Sequence, residues 1–200
     1  MFTGIVQEIG TLVSTLRSDG IIRLAISAPK TTPKLAPMDS VSVNGACLTV
    51  VDKQAGVFSV EMIPETQRRT SLARLKAGMR LNLEPSLTLS DRIGGHLVFG
   101  HVDGVGKVRS RRQAAGELVL EIAVDKPLRK FIVAKGPITV DGVSLTVGPK
   151  VEVASFRVHL IPETLRRTTL ASRKVGDAVN IEIDYFAKLT REFLRTNHGA

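Results

Sequence analysis

The feature that most narrows the fold is a repeat. Residues 60–84, VEMIPETQRRTSLARLKAGMRLNLE, align with residues 158–182, VHLIPETLRRTTLASRKVGDAVNIE, at an offset of 98 and match at 14 of 25 positions. VNGACLTV at 43–50 returns as VDGVSLTV at 140–147 at an offset of 97, so one inserted residue separates the two registers. A unit of about a hundred residues is the size of a domain, not of a solenoid repeat. The chain therefore divides into two tandem homologous domains, 1–93 and 94–184, and a tail, 185–200, that belongs to neither.

Each unit reads as β. Asn44-Gly45, between two short β-branched runs, is the preferred two-residue type I′ hairpin turn, and Asp141-Gly142 repeats it. A further strand over 57–63 ends at Pro64, which has no N–H to give to a ladder. The stretch ETQRRTSLARLKAG is rich in helix formers and predicts a helix finishing at Gly78, after which a strand resumes over 79–84. Short, closely spaced strands with glycine turns predict an all-β protein of two small closed antiparallel barrels of Greek-key type, whose closure hides their edges. In the tail, Tyr185, Phe186, Leu189, Phe193 and Leu194 fall at helical spacing on an otherwise charged segment. That stripe packs on its own barrels or on the same helix of other copies; the lack of a slot within the repeats favours the second.

Composition excludes some classes. With 43% hydrophobic and 24% charged residues, the chain buries real cores and is not disordered. No window approaches 18 uninterrupted apolar residues and the start carries no leader pattern, so a soluble, cytoplasmic protein that does not engage a membrane is expected. A single cysteine, Cys47, excludes an internal disulfide framework and a multi-cysteine zinc site. The net charge of +9 invites a nucleic-acid reading, but the basic residues are scattered in pairs such as Arg111-Arg112 and Arg166-Arg167, and aromatics are 4%. That pattern favours a solvated basic surface and no nucleic acid.

MFTGIV at the N-terminus, NGACLTV at 44–50, GGHLVFGHVDG at 94–104, DGVSLTV at 141–147 and the doubled IPET together resemble the riboflavin synthase family of the alpha-chain type, built from two lumazine-binding barrels. The resemblance runs from Met1 to about Asp184, and the tail helix matches least. It implies a homotrimeric transferase that takes two molecules of 6,7-dimethyl-8-ribityllumazine, moves a four-carbon unit from one to the other, and needs no cofactor or metal. The duplication then has a reason. Two copies of one substrate need two similar pockets, yet one copy must lose a proton from its C7 methyl while the other is attacked, so the polar groups must differ. Cys47 opposite Ser144, and Gly4 opposite His101, are where the chain breaks its own symmetry.

Carried over by resemblance, Gly4, Ile5 and Val6, then Cys47, Leu48 and Thr49, then Glu61, Met62, Ile63, Pro64, Glu65 and Thr66 line the N-terminal barrel's pocket. Gly100, His101 and Val102, then Ser144, Leu145 and Thr146, then Leu160, Ile161, Pro162, Glu163 and Thr164 line the other, with Lys135 reaching a pocket from a neighbouring chain. Backbone amides and Thr hydroxyls suit the pteridine, and Glu65 and Glu163 suit ribityl hydroxyls. The implied chemical groups are Cys47, His101, Ser144, Ser40, Asp184 and Phe2, and the productive pair of pockets joins the N-barrel of one subunit to the C-barrel of another.

By residue type alone other readings stand beside these: Cys47 as a small buried hydrophobe, Ser144 and Thr146 as strand residues satisfying the backbone, Asp184 as a helix N-cap. His101, inside the GHV segment, is the candidate for proton transfer, whereas His96 is expected to order the interdomain loop, His159 to lie at a pocket edge and His198 in the tail. Phe99 departs from the small polar residue that many relatives carry before GHV. Two rival functions are a non-catalytic lumazine- or flavin-binding protein of the same fold and a basic barrel that binds nucleic acid; neither explains the doubled IPET.

Overall fold

A computed structural model describes residues 1–114 and 116–197, so His198 lies outside the described residues. Among the described residues, twelve strands close into two six-stranded antiparallel barrels. The first comprises β1 (Glu8–Ser18), β2 (Ile21–Ser27), β3 (Ser40–Val43), β4 (Ala46–Gln54), β5 (Val57–Met62) and β6 (Arg80–Pro85), in the order β1-β2-β5-β4-β3-β6. The second repeats that order with β7 (Gly104–Ala114), β8 (Glu117–Ala123), β9 (Pro137–Val140), β10 (Val143–Val151), β11 (Ser155–Leu160) and β12 (Ala178–Ile183).

Local chemistry sets the hairpins. Asn44 (φ 44°) and Gly45 (φ 82°), like Asp141 (φ 46°) and Gly142 (φ 76°), are both left-handed, as a type I′ turn requires. Strand alternation then sends Leu48 and Val50 into the first core, with Leu24, Phe58 and Leu83, and turns Cys47 and Thr49 outward. The second core gathers Leu120, Ile122, Phe156 and Ile181.

The long helix expected over residues 65–78 is not formed. Helix α1 (Pro64–Arg69) stops at Thr70, whose backbone is extended, and a separate 3-10 turn covers Ser71–Arg74. The Thr70 hydroxyl donates to the Thr66 carbonyl at 2.7 Å and accepts the Leu72 N–H at 3.3 Å. The Ser71 N–H, which a continuous helix would use internally, goes instead to Asn180 Oδ1 at 2.7 Å in the other domain. Gly78 (φ 87°) belongs to the tight turn before β6. After the short α2 (Lys126–Arg129), the second domain repeats the break: α3 (Pro162–Arg167), then Thr168, then a 3-10 turn.

The barrels meet along an approximate two-fold seam. Asn82 Nδ2 donates to the Asp141 carbonyl at 2.9 Å and Asn180 Nδ2 to the Asn44 carbonyl at 2.8 Å, while Thr169 N–H donates to Asn82 Oδ1 at 2.8 Å. One element breaks the symmetry. Asn44 and Leu75 of the first domain correspond to Asp141 and Arg173 of the second, which form a buried ion pair at 2.7 Å.

The terminal helix α4 (Tyr185–Asn197) presents its polar side to the second barrel: Lys188 pairs with Asp103 at 2.7 Å, and the Arg191 guanidinium lies 5.4 Å from the Phe131 ring centroid. Of its apolar residues, only Ala187 packs on the core. Tyr185 meets the Phe99 ring on one side, but Phe186, Leu189, Phe193 and Leu194 face outward, so most of the stripe is not covered by this chain's own barrels. Among the described residues no helix is long and apolar enough to cross a membrane.

Candidate active site

A carboxylate buried without hydrogen-bond donors costs several kcal/mol, so the two buried glutamates at the ends of β6 and β12 must be answered by something. Glu84 accepts the N–H of Thr3 at 2.7 Å, its hydroxyl at 2.8 Å and the N–H of Gly4 at 3.0 Å. Glu182 accepts the N–H groups of Phe99 and Gly100 at 2.7 and 3.0 Å. Burial still holds both carboxyls above the usual range, against the pull of those N–H groups. Each glutamate thus fastens the strand-like segment that precedes its own barrel.

Each fastened segment reaches over to the other barrel. Gly4 accepts the Ser144 N–H at 2.8 Å, and Gly100 accepts the Cys47 N–H at 2.8 Å. Val6 is part of the second core, whereas Val102 packs on the first. The two segments cross through a two-bond bridge between Phe2 and Val98 at 2.7 and 3.0 Å. Glycine is required at both contacts: φ is 74° at Gly4 and 76° at Gly100, and a Cβ on either would stand 2.6 Å from the Cβ of Ser144 or Cys47.

This exchange corrects the expected grouping. Gly4, Ile5 and Val6 lie with Ser144, not Cys47, and Gly100, His101 and Val102 lie with Cys47, not Ser144. Sequence matching tells which repeat a segment belongs to, but not on which barrel it rests. Phe2 is also not placed as a chemical group. It is fully buried, with its ring edge against Gly100, and wedges the crossing. Leu48, Met62 and Leu160 point into the cores, leaving only their main chain for a ligand.

The first pocket is a cleft of about 380 Å³ lined by Cys47 and Ala46 of β4, Glu65, Thr66 and Arg69 of α1, and Gly100 to Asp103. Cys47 is half-buried and His101 is exposed, its ring 6.0 Å from that of Phe99. Glu65 is held by Arg69 and Arg68, which keep its carboxyl below the usual range. Glu61 and Ile63 continue the same outward face, Glu61 paired with Arg23 at 2.7 Å. Thr49 lies one step along β4, paired with Ser40 of β3.

The equivalent face of the second barrel carries Ser144 and Thr146 of β10, Ile161 before α3, and Glu163 and Thr164 on it; a cleft of about 400 Å³ there is lined by Glu163, Arg166 and Arg167 with Val6 and Gln7 of the crossing segment. Glu163 is held by Arg167 and Arg166. Lys135, in a left-handed turn before β9, gives its N–H to Val147 at 3.1 Å and leaves its side chain in solvent beside this strand.

Here stands the residue that sequence reasoning set aside. His96 Nδ1 lies 2.7 Å from Ser144 Oγ, and its Nε2 lies 3.3 Å from Thr139 Oγ1. Burial pushes the imidazole below its usual range, with Asp184 pulling the other way. A signal was available in Gly94-Gly95 just ahead of it: a Cβ on Gly95 would collide with the Thr3 carbonyl, so the chain passes there only as glycine. Ser40 and Asp184 sit on different barrels, and no hydrogen bond among the described residues joins them. Nor is any cluster of three or more His, Cys, Asp or Glu among those residues placed to hold a metal.

Phe99 takes the position of Thr3 in this plan, so Gly100 is the counterpart of Gly4 and His101 that of Ile5, which corrects the expected pairing of Gly4 with His101. Lacking the hydroxyl that Thr3 gives to Glu84, it packs on Tyr185 of α4, with ring centroids 4.9 Å apart, which ties the first pocket's segment to the terminal helix.

Comparison with known proteins finds the lumazine binding domain twice, over residues 3–86 and 99–184. The riboflavin synthase of Mycobacterium tuberculosis is 42% identical over 199 residues, covering 98% of this chain and 99% of the relative. The chain belongs to the riboflavin synthase family. The Bacillus subtilis riboflavin synthase is 39% identical across 97% of the chain and 90% of its own length. Among solved structures, LumP complexed with riboflavin superposes with a TM-score of 0.86 at 25% identity, covering 92% of this chain and all of that one. In LumP with 6,7-dimethyl-8-ribityllumazine the score is 0.83. The two matched domains coincide with the two barrels.

Proposed function

We propose that this chain catalyses the dismutation of two 6,7-dimethyl-8-ribityllumazine molecules, in which a four-carbon unit passes from one to the other to give riboflavin and 5-amino-6-ribitylaminopyrimidinedione. Membership of a family whose members at about 40% identity are riboflavin synthases supports the activity. The observation that carries the mechanism is the pair of pockets with one scaffold and different polar groups. One offers a thiol and an exposed imidazole, Cys47 and His101; the other offers the Ser144 hydroxyl against a half-buried imidazole, His96. A neutral His96 at pH 7 is suited to take or return a proton through Ser144, the transfer that deprotonation of the C7 methyl requires. Cys47 and Ser144, each with its N–H tied to the crossing segment, then define the substrate positions in the two barrels. Thr49, Thr66, Thr146 and Thr164 supply hydroxyls along the same faces, and Glu65 and Glu163 retain acceptor capacity for ribityl hydroxyls.

In this reading the reacting pair is formed by the N-barrel of one subunit and the C-barrel of another, in a homotrimer held by α4. The uncovered apolar stripe of that helix supports such an assembly, and it would bring Ser40 and Asp184 together across chains. The compartment that suits a lone free thiol is the cytoplasm.

The test is to mix the purified protein with 6,7-dimethyl-8-ribityllumazine alone and follow both products by absorbance and chromatography. Riboflavin and the pyrimidine in equal amounts are expected. Tight binding without turnover would make the chain a non-catalytic lumazine- or flavin-binding relative, and no binding would overturn both readings.

A further inference from the structure

Because the two domains are homologous, each contact of one crossing segment has a built-in control on the other. Gln7, whose N–H goes to the Leu83 carbonyl at 2.9 Å, is the counterpart of Asp103, whose N–H goes to the Ile181 carbonyl at 2.8 Å. Their side chains do different things. Asp103 carries a carboxylate that accepts the Ile183 N–H at 2.8 Å and pairs with Lys188 of α4 at 2.7 Å. Gln7 is an exposed neutral amide that donates to the Ile5 carbonyl at 3.4 Å. The residue matching Ile183 in the repeat is Pro85, which has no N–H to offer a carboxylate.

The element behind the segment differs as well. After β6 the chain runs through residues 86–95 without a helix, its turn closed by Asp91 on Thr88, whereas after β12 it continues almost at once as α4. That helix is seated on the second barrel by Ala187 at the core and by Arg191 over Phe131. From this seat it holds residues 99–103 at both ends, Tyr185 against the Phe99 ring and Lys188 on Asp103. His101 lies between the two ties, its ring 6.0 Å from that of Phe99. The Lys188 and Asp103 side chains are only 26% and 24% exposed, so their attraction is screened less than that of an open surface pair.

Asp103 has a second cation near it. It lines the cleft of Cys47 together with Arg69. That guanidinium is held above its usual range by Glu65 and, more weakly, by the charge of Asp103, yet no ion pair joins Arg69 to Asp103 among the described residues. A carboxylate kept mostly from water and deprived of Lys188 must find another donor, and Arg69 stands in the same cleft. Such a move draws residues 99–103 over the cleft and competes with Glu65 for its arginine. We propose that Lys188 is a positioning residue for the pocket of Cys47: by holding Asp103 on the side of α4 it keeps His101 in place and the cleft open, so the seat of the terminal helix sets ligand affinity in this pocket and not in that of Ser144. The proposal rests on the reading of Cys47 and His101 as part of a substrate pocket.

The Cys47 and Ser144 N–H groups, each bonded to its crossing segment, report the two pockets separately. The experiment is an amide NMR titration of the whole protein with riboflavin, on the parent, Lys188→Met and Lys188→Arg, with sedimentation and turnover of 6,7-dimethyl-8-ribityllumazine measured alongside. Lys188→Met keeps a long stem and a good helix former but removes the charge. It is expected to weaken riboflavin about tenfold at Cys47 and less than about twofold at Ser144, to raise KM more than it lowers kcat, and to sediment as the parent does. Lys188→Arg should restore the parent's values, and Tyr185→Leu, which cuts the other tie, should weaken the same pocket alone. Equal weakening at both pockets, weakening at neither, or failure of the arginine to rescue overturns the proposal. So does weakening that comes with a smaller species in sedimentation, since assembly then accounts for it. If the parent binds riboflavin at neither pocket, the underlying functional reading fails instead, an outcome distinct from two occupied pockets that Lys188 does not separate.

Discussion

One strand position carries the chemical contrast between the pockets, Cys47 on β4 against Ser144 on β10, and only Ser144 has an imidazole at hydrogen-bond distance. Because burial lowers the pKa of His96, its neutral form persists to a pH below the ordinary histidine value of about 6.5. A depressed native pKa contributes stability that is complete above that ordinary value and is lost as the pH falls through the native one. The base function of His96 is lost over the same window. The acid limb of kcat/KM is therefore expected below the range of a free histidine. His96→Gln should lower kcat by about a hundredfold and remove that limb, with a stability loss of no more than about 2 kcal/mol. A limb unchanged in the variant would show that some other group sets it. His96 was not legible in the sequence as a member of this site, because Gly94-Gly95 ahead of it signals a close backbone passage but not what is passed; only the fold reveals that His96 lies against Ser144 and His101 in solvent beside Cys47.

Among the elements, the crossing segments and α4 decide the most. Glu84 belongs to the first barrel but fastens the segment that completes the second barrel's pocket, and Glu182 does the reverse. The expected signature is a crossed effect. Glu182→Gln should weaken ligand binding in the pocket of Cys47, and Glu84→Gln in that of Ser144, each about tenfold with the other site spared, as read by ligand NMR or paired fluorescence titrations. Loss confined to each glutamate's own barrel would refute the crossing role. The stripe on α4 makes a separate claim: Phe193→Asp should convert the assembled protein to a smaller species in sedimentation, with the barrels still folded by circular dichroism. A sedimentation profile identical to the parent's would remove the helix from the interface. The amphipathic stripe itself could be read from spacing alone. The break in the helix after Arg69 could not, because its cause is an acceptor, Asn180 Oδ1, that lies 109 residues away.

Across the whole molecule, the seam between the barrels must join two homologous domains without making them interchangeable. The Asp141–Arg173 pair is the asymmetric element, replacing Asn44 and Leu75 of the first domain. Arg173→Leu strands a carboxylate that is fully buried and should cost about 3–5 kcal/mol, while adding Asp141→Asn should recover most of it. Burial already holds the Asp141 carboxyl above its usual range, with Arg173 opposing. A raised native pKa gives stability that is complete below the unfolded value, about 4, and lost as the pH rises through the native one. Without Arg173 the native value climbs further, so the deficit of Arg173→Leu relative to the parent should shrink between about pH 7 and pH 5 in denaturant titrations. A deficit that is flat with pH would mean that packing, not the buried charge, accounts for the loss.

What the sequence by itself determined is whatever is written locally: two domains from the repeat, the hairpins from Asn-Gly and Asp-Gly, the outward face of Cys47, Thr49, Ser144 and Thr146 from strand alternation, and the family from five short motifs. Those signals need only neighbours a few residues apart. The tertiary structure decided which barrel each N-terminal segment completes, that Phe2 is a wedge and that His96 meets Ser144. Each of these depends on a buried polar group satisfied from far along the chain, such as the carboxylate of Glu84 and the N–H of Thr3, 81 residues apart. A hydrogen bond of that kind leaves no periodicity behind it, because what fixes its partner is the desolvation cost of leaving the carboxylate unpaired once the barrels have closed.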